Sequence, residues 1–312
     1  MAVHPLTSYL AKRVMLAFLT VLVLLTFTFV VSRSTGDPTA SLLPPIATDD
    51  DRAALRQLLH LDRPLWQQYV EYIGDVAHGN LGTSYKWHEP VTNLILDRLP
   101  VTLTLALLAG AITLGLGLPL GISSARHRGT SIDRAILFFA LLGQSVPIFV
   151  TALAGILLFS VRLRWLPAAG VDLPQGFVLP ALTLGWFGLA SMIRVTRVSM
   201  LKALGSDYIT TARAKGLRAD QIVYEHALRN ALVPVVTIFS LILATLLTGT
   251  VVTETMFALP GLGRTAVEAI TGRDFPVVQG IVLVTTCAFV SINLIVDIVY
   301  GFIDPRTRIA SA

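Results

Sequence analysis

Charge is what this chain has least of: 14% of its 312 residues are Asp, Glu, Lys or Arg, and 54% are hydrophobic. An ordinary soluble domain carries about a quarter charged residues, so the composition excludes one. Cysteine is nearly absent as well. The single thiol, Cys287, lies in an apolar run, which rules out an internal disulfide and a thiolate metal cluster, and no other metal site is expected. Nowhere does a G-x-x-x-x-G-K-[ST] stretch occur, so the chain has no loop of that kind to cradle ATP. A net charge of +5 raises the question of nucleic acid, but the basic residues are dispersed and no aromatic-basic recognition stretch accompanies them. Nor do apolar segments alternate over about ten residues, as a membrane barrel requires.

The apolar residues instead form runs long enough to cross about 30 Å of hydrocarbon as helix, which takes about 20 residues. Six spans are expected, at residues 14–31, 101–124, 135–160, 177–193, 231–253 and 276–299. The first exceeds the length of a signal-peptide core, and Ser32-Arg33-Ser34 offers no Ala-x-Ala cleavage site. The fold class is therefore an all-α integral membrane protein. With the N-terminus inside, the inner segments hold 14 of the 24 Lys and Arg, and most of the others fall in one long outer segment that the positive-inside rule discounts. Both termini are then cytoplasmic. The chain divides into 1–32 (N-terminus and first span), 33–100 (outer loop) and 101–312 (five-helix core), with a cytoplasmic hairpin at about 201–233.

The outer segment has Pro38, Pro44 and Pro45 early, then Asp49, Asp50 and Asp51 ahead of a short helical pattern at 54–60. Leu65, Trp66, Tyr69, Tyr72 and Ile73 recur at helical spacing as far as Gly79 and Gly82, which predicts a helix on the outer membrane surface with its aromatics at headgroup level. In the second span Gly110, Gly115, Gly117 and Gly121 predict close helix approach. Gln144 and Ser145 precede Pro147 in the third. A polar pair beside a helix break wants a neighbouring helix or a solute path to line.

The hairpin is the one long polar interruption of the second half. Leu201, Leu204, Tyr208 and Ala212 share one helical face, with Lys202, Ser206, Thr210 and Arg213 opposite. Lys215 and Gly216 close it, Gly216 in the left-handed conformation that ends helices. A second helix starts near Ala219, with Asp220 in its first turn and Arg229 in its last, and Pro234 opens the next span.

This stretch resembles the cytoplasmic signature loop of ATP-binding-cassette importer permeases, with Thr211-Ala212-Arg213 at the Glu-Ala-Ala position and Leu232-Val233-Pro234 at the end. ARAKGL followed by HALRNALVPVVT is similar to the peptide-permease branch. So is LDRPLWQQYVEYIGDVAHGNLGTS in the outer loop. The turn after the fifth span, with Glu254, Phe257, Pro260, Gly261, Leu262, Gly263 and Arg264, resembles that family's Glu-x-x-Phe-x-x-Pro-Gly-Leu-Gly-Arg. There Gly261 and Gly263 are expected to force a reversal before a short helix at 265–270. The ending NLIVDIVYGFIDPRTR, with Asn293, Asp297, Asp304, Pro305 and Arg306, resembles the family's C-terminus.

The resemblance implies a type I importer permease subunit in a bacterial cytoplasmic membrane, surrounded by lipid and carrying no cofactor itself. It further implies a second permease subunit, two ATPase subunits holding ATP and magnesium, and an extracytoplasmic solute-binding protein. Dipeptides or oligopeptides are the implied cargo, with nickel or glutathione as alternatives. Tyr208, Thr211, Ala212, Arg213, Ala214, Lys215, Gly216 and Pro234 would couple to an ATPase. Gln144 and Ser145 are candidates for the solute path, and Glu254, Phe257, Pro260, Gly261, Gly263 and Arg264 for an outer gate. No catalytic residue is expected: Gly143-Gln144-Ser145-Val146 lacks the second glycine of an intramembrane serine protease, and the later spans hold no histidine to act as base. A self-contained secondary transporter or channel fits less well, because no pair of broken inverted-repeat helices is evident.

Overall fold

The structure, a computed structural model, describes residues 5–34, 43, 47–58, 61–171 and 173–303, with backbone alone for 5–12, 58 and 296–303. Among the described residues the regular elements are helices, with one isolated bridge between Thr83 and Pro90. In order they form α1 (Pro5–Ser34), α2 (Asp49–Leu58), α3 (Leu65–Ala77), α4 (Val91–Arg126), α5 (Ser131–Ser145), α6 (Ile148–Arg162), α7 (Val178–Leu204), α8 (Asp207–Ala214), α9 (Ala219–Met256), α10 (Leu262–Thr271) and α11 (Phe275–Ile303). Five of these, α1, α4, α7, α9 and α11, are long and apolar enough to span a membrane, and α5 with α6 makes a sixth, bent by 103°. The third expected span is thus not one straight helix. Pro147 has no N–H for a helical bond and pushes the preceding Val146 into extended backbone (φ −88°, ψ 128°).

The described residues fold as two compact units, one within Met1–Tyr9, Thr102–Pro260 and Ser291–Ala312, the other within Leu10–Val101 and Gly261–Val290. In the first, α7 is the buried centre, with Leu184, Leu189, Met192, Ile193 and Met200 almost fully enclosed. It meets α4 at glycines. A Cβ on Gly117 would lie 2.6 Å from Met192, and one on Gly121 2.5 Å from Thr196. On α4 too, one on Gly110 would lie 2.5 Å from Leu243 of α9. Small residues therefore set these helix separations, as membrane bundles require where lipid supplies no hydrophobic drive. Gly115 has no such neighbour.

In the second unit Val91, Leu94, Ile95, Leu262, Ala269, Val277 and Ile281 form the core. The aromatics of α3 do not share one surface. Tyr69 and Tyr72 pack on Phe29 of α1, ring centroids 5.3 and 5.7 Å away, and Tyr69 hydrogen-bonds Thr26 at 2.7 Å. Leu65 and Trp66 stay exposed. The acidic run is the first turn of α2 rather than its approach. Thr48 caps that helix by accepting from the Asp51 N–H at 3.2 Å, while the Asp51 carboxylate accepts from the Thr48 N–H at 2.9 Å. The loop before α4 is tied to the turn after α10: buried Asp274 accepts from the Ser84 hydroxyl at 2.6 Å and the Lys86 N–H at 3.0 Å.

Candidate functional site

The hairpin is built differently from its sequence periodicity. Leu201 and Leu204 end α7, and Gly205-Ser206 separates them from α8, so Tyr208 and Ala212 belong to another helix. Ile209 and Ala212 are the buried pair on α8. They join Ile122 and Ala125 of α4, Met200 and Ala203 of α7, and Ile222, Val223, Ala227 and Ala231 of α9 in one apolar cluster. Ala212 therefore packs inside its own chain rather than presenting itself outward. Tyr208 is 41% exposed and Tyr224 52%. Thr211, Arg213, Ala214, Lys215 and Arg218 are exposed as well. Asn230 of α9 donates to the Tyr208 hydroxyl at 2.9 Å, joining the two arms.

Gly216 reverses the chain at φ +76°. The Gly216 N–H bonds the Arg213 carbonyl at 2.9 Å and the Leu217 N–H the Ala212 carbonyl at 3.3 Å, the paired bonds that satisfy orphan carbonyls at a helix end. Nothing lies within 4 Å of a Cβ built there, so the demand for glycine is conformational and not steric. The next helix starts at Ala219 and runs through a wider π-wound stretch, Ile222–Ala227, straight to Met256. Pro234 lies inside it and opens nothing. Burial of Ile222, Val223, Ala227 and Ala231 outweighs the lost hydrogen bond, and membrane helices accommodate proline.

Beneath the hairpin is a charge cluster that sequence reasoning did not single out. Asp133, 3% exposed, receives the Arg197 guanidinium bidentately at 2.9 and 2.8 Å and the Gly129 N–H at 2.9 Å, with the Ser124 hydroxyl as fourth donor. This pins the α4–α5 turn to α7. Arg126 adds a bond to Asp220 at the start of α9, 3.1 Å. The signal in the sequence was Thr130 three residues before Asp133, the spacing of a helix cap. Arg197 read only as one more cytoplasmic cation.

Gln144 and Ser145 sit at the α5–α6 break, both exposed. Gln144 accepts from Arg194 of α7 at 2.6 Å, so it makes a helix-to-helix bond. At the far end of α9, Glu254 is fully buried and accepts from the Thr102 hydroxyl of α4 at 2.7 Å. Phe257 is 1% exposed. Closure of α9 falls to Ala258, at φ 51°, with the Leu259 N–H on the Glu254 carbonyl at 2.8 Å. The two glycines do not make this reversal. Gly261 is at φ −107° and Gly263 lies in the first turn of α10, which begins at Leu262 and not at 265. Pro260 is half-buried. Arg264 donates to Glu268 at 3.0 Å, and Glu268 also accepts from Lys86 at 2.8 Å. That Lys86 bond first, then the Lys86 and Arg264 charges, hold the Glu268 carboxyl below its ordinary range. The Asp297 side chain, Asp304, Pro305 and Arg306 lie outside the described residues. Among the described residues no three His, Cys, Asp or Glu side chains gather to hold a metal.

Comparison with known proteins bears on this arrangement. Residues 117–309 match the family model described as the binding-protein-dependent transport system inner membrane component, and residues 6–106 match the model for the N-terminal part of such membrane components. The chain belongs to this family. It is 38% identical to the di/tripeptide transport system permease protein DppB of Pseudomonas aeruginosa (strain UCBPP-PA14), over 96% of this chain and 98% of the relative. With the dipeptide transport system permease protein DppB of Escherichia coli (strain K12) the identity is 39%, over 91% and 93%. The fold is shared with a solved inward-facing structure of the MetNI methionine ABC transporter: TM-score 0.58 at 18% identity, over 68% of this chain and 96% of that one. A multi-pass protein of the inner membrane, in a family of transport permeases, is what these likenesses establish.

Proposed function

We propose that this chain is one of two permease subunits of an importer that carries dipeptides or oligopeptides across the cytoplasmic membrane. The observation that carries the reading is the extent of its likeness to two dipeptide or di/tripeptide permeases, which covers more than nine-tenths of each. Two ATPase subunits would hold ATP and magnesium, since the chain has no phosphate loop, and a solute-binding protein would deliver the peptide from outside. The hairpin has the form of an ATPase dock. Its back is a closed apolar cluster shared with α7 and α9, and the exposed Tyr208, Tyr224, Arg213 and Lys215 would be its outward face. Rotation of that face passes into the membrane helices as a rigid-body change.

Reconstitution of the full complex in vesicles, with labelled dipeptide, nickel and glutathione as competing cargoes, tests the substrate. ATP-dependent dipeptide uptake is the expected result, and uptake of nickel or glutathione alone refutes it. Orientation is tested by single-cysteine labelling with an impermeant reagent in intact cells. Position 66 should react and position 213 should not; the reverse inverts the topology.

A further inference from the structure

Arg194 is a cation in the wrong place for a lipid-facing helix. It lies ten residues before the Leu204 end of α7, about 15 Å along a helix rising 1.5 Å per residue. It directly follows the expected span 177–193, and a long cation there, if facing lipid, is drawn out toward the interface. Arg194 is turned the other way: its guanidinium bonds the Ala190 carbonyl at 3.3 Å and the Gln144 amide oxygen at 2.6 Å. It is nonetheless exposed, as are Gln144, Ser145 and Pro147 beside the α5–α6 break. Unlike Arg197, it has no carboxylate among these bonds.

The same face of α7 continues upward. Phe187, Ser191 and Arg194 are spaced by four and three residues and so share one helical stripe. Phe187 and Ser191, with Leu241, Ile242 and Thr245 of α9, line an open groove of about 150 Å³. An apolar protein cavity of about that volume accepts a benzene ring. A cation next along the stripe from an apolar groove matches the two ends of one chemical unit, a carboxylate and the side chain beside it. Such a charged, polar stripe, running from within a span to its end, belongs against water or protein.

We infer that this stripe is a wall of the solute path, where Arg194 receives the C-terminal carboxylate of a passing peptide and the groove takes the adjacent side chain. The inference rests on the peptide reading above. Gln144 is then a positioning residue, holding the guanidinium toward the path by its one bond. Guanidinium suits the task because it presents a planar fork to a carboxylate and remains charged.

The test uses the complete permease–ATPase complex with Ser191→Cys in a Cys287→Ser background, and reads the rate of labelling by a water-soluble maleimide. The probes are the dipeptide Ala-Phe and its C-terminal amide. At about ten times its Kd, Ala-Phe should slow labelling about tenfold, and the amide should slow it less than about twofold. Arg194→Gln should abolish protection by Ala-Phe, and Arg194→Lys should keep part of it. A cysteine inert to maleimide means that lipid or a partner covers the stripe, and overturns the inference. Equal protection by acid and amide overturns it also, whether or not Arg194→Gln assembles. Uptake of Ala-Phe by the unmodified complex is measured separately. If it is absent the peptide reading fails; if it is present without protection, only this inference fails.

Discussion

Asp133→Asn should be the most destabilising near-isosteric change in the hairpin-bearing unit. Both carboxylate oxygens are engaged: Oδ1 takes the Ser124 hydroxyl and Arg197 Nε, and Oδ2 takes the Gly129 N–H and Arg197 Nη2. An amide nitrogen in place of Oδ2 faces two donors, and in place of Oδ1 it faces Arg197 Nε and a Ser124 hydroxyl that can turn to accept, so either way Arg197 would lose one charged bond. Each bond to a charged group is worth about 1.5–3 kcal/mol, and breaking a buried pair by removing one partner costs about 3–5 kcal/mol. Arg197 is 22% exposed and can recover some hydration, so the lower part of that range, about 3 kcal/mol, is expected. In the purified protein this appears as a fall in Tm of about 6–12 °C. The double change Asp133→Leu with Arg197→Met should recover most of it, because apolar replacement of both partners removes the stranded charge. A single variant within about 2 °C of the parent, or a double variant as unstable as the single, would refute the reasoning.

Three further outcomes follow from backbone and charge. Gly216→Val should open the hairpin turn by about 1–2 kcal/mol through the left-handed conformation, and Gly216→Asn by less. Faster hydrogen exchange at Leu217 in the Val variant checks this, and equal exchange in both contradicts it. Ala258→Gly should stabilise by about 0.5–1 kcal/mol, since the alanine holds a left-handed helix end that glycine occupies without strain; a lower Tm counts against that account. Glu268, its carboxyl held low by Lys86, contributes stability fully above its unfolded value, and loses it as pH falls through the folded one. Both side chains are about a third or more exposed, so the effect is below about 1 kcal/mol, and Lys86→Met should flatten this part of the acid limb of Tm against pH.

The sequence alone determined the class of molecule, because bilayer thickness turns a run of about 20 apolar residues into a span whatever its neighbours are. It also determined the chain reversal at Gly216, since a left-handed helix end depends on one residue's backbone and hardly on tertiary context. The break at Pro147 is equally local, though its 103° consequence is not. Only the tertiary structure decided what depends on which faces meet. Pro234 marks a helix start by local preference, yet burial of Ile222, Val223 and Ala227 carries α9 back to Ala219. Leu201 and Leu204 share a stripe with Tyr208 and Ala212 by counting, but α7 stops at Leu204 and α8 sets off on its own axis, where Ala212 packs inward with Ile209 and Tyr208 stays exposed. At the end of α9 the reversal falls to Ala258 rather than to the nearby glycines. Asp133 and Arg197 are 64 residues apart, and no periodicity pairs a carboxylate in one helix with a guanidinium in another. Periodicity reports which residues could share a face; packing decides which of those faces is turned inward.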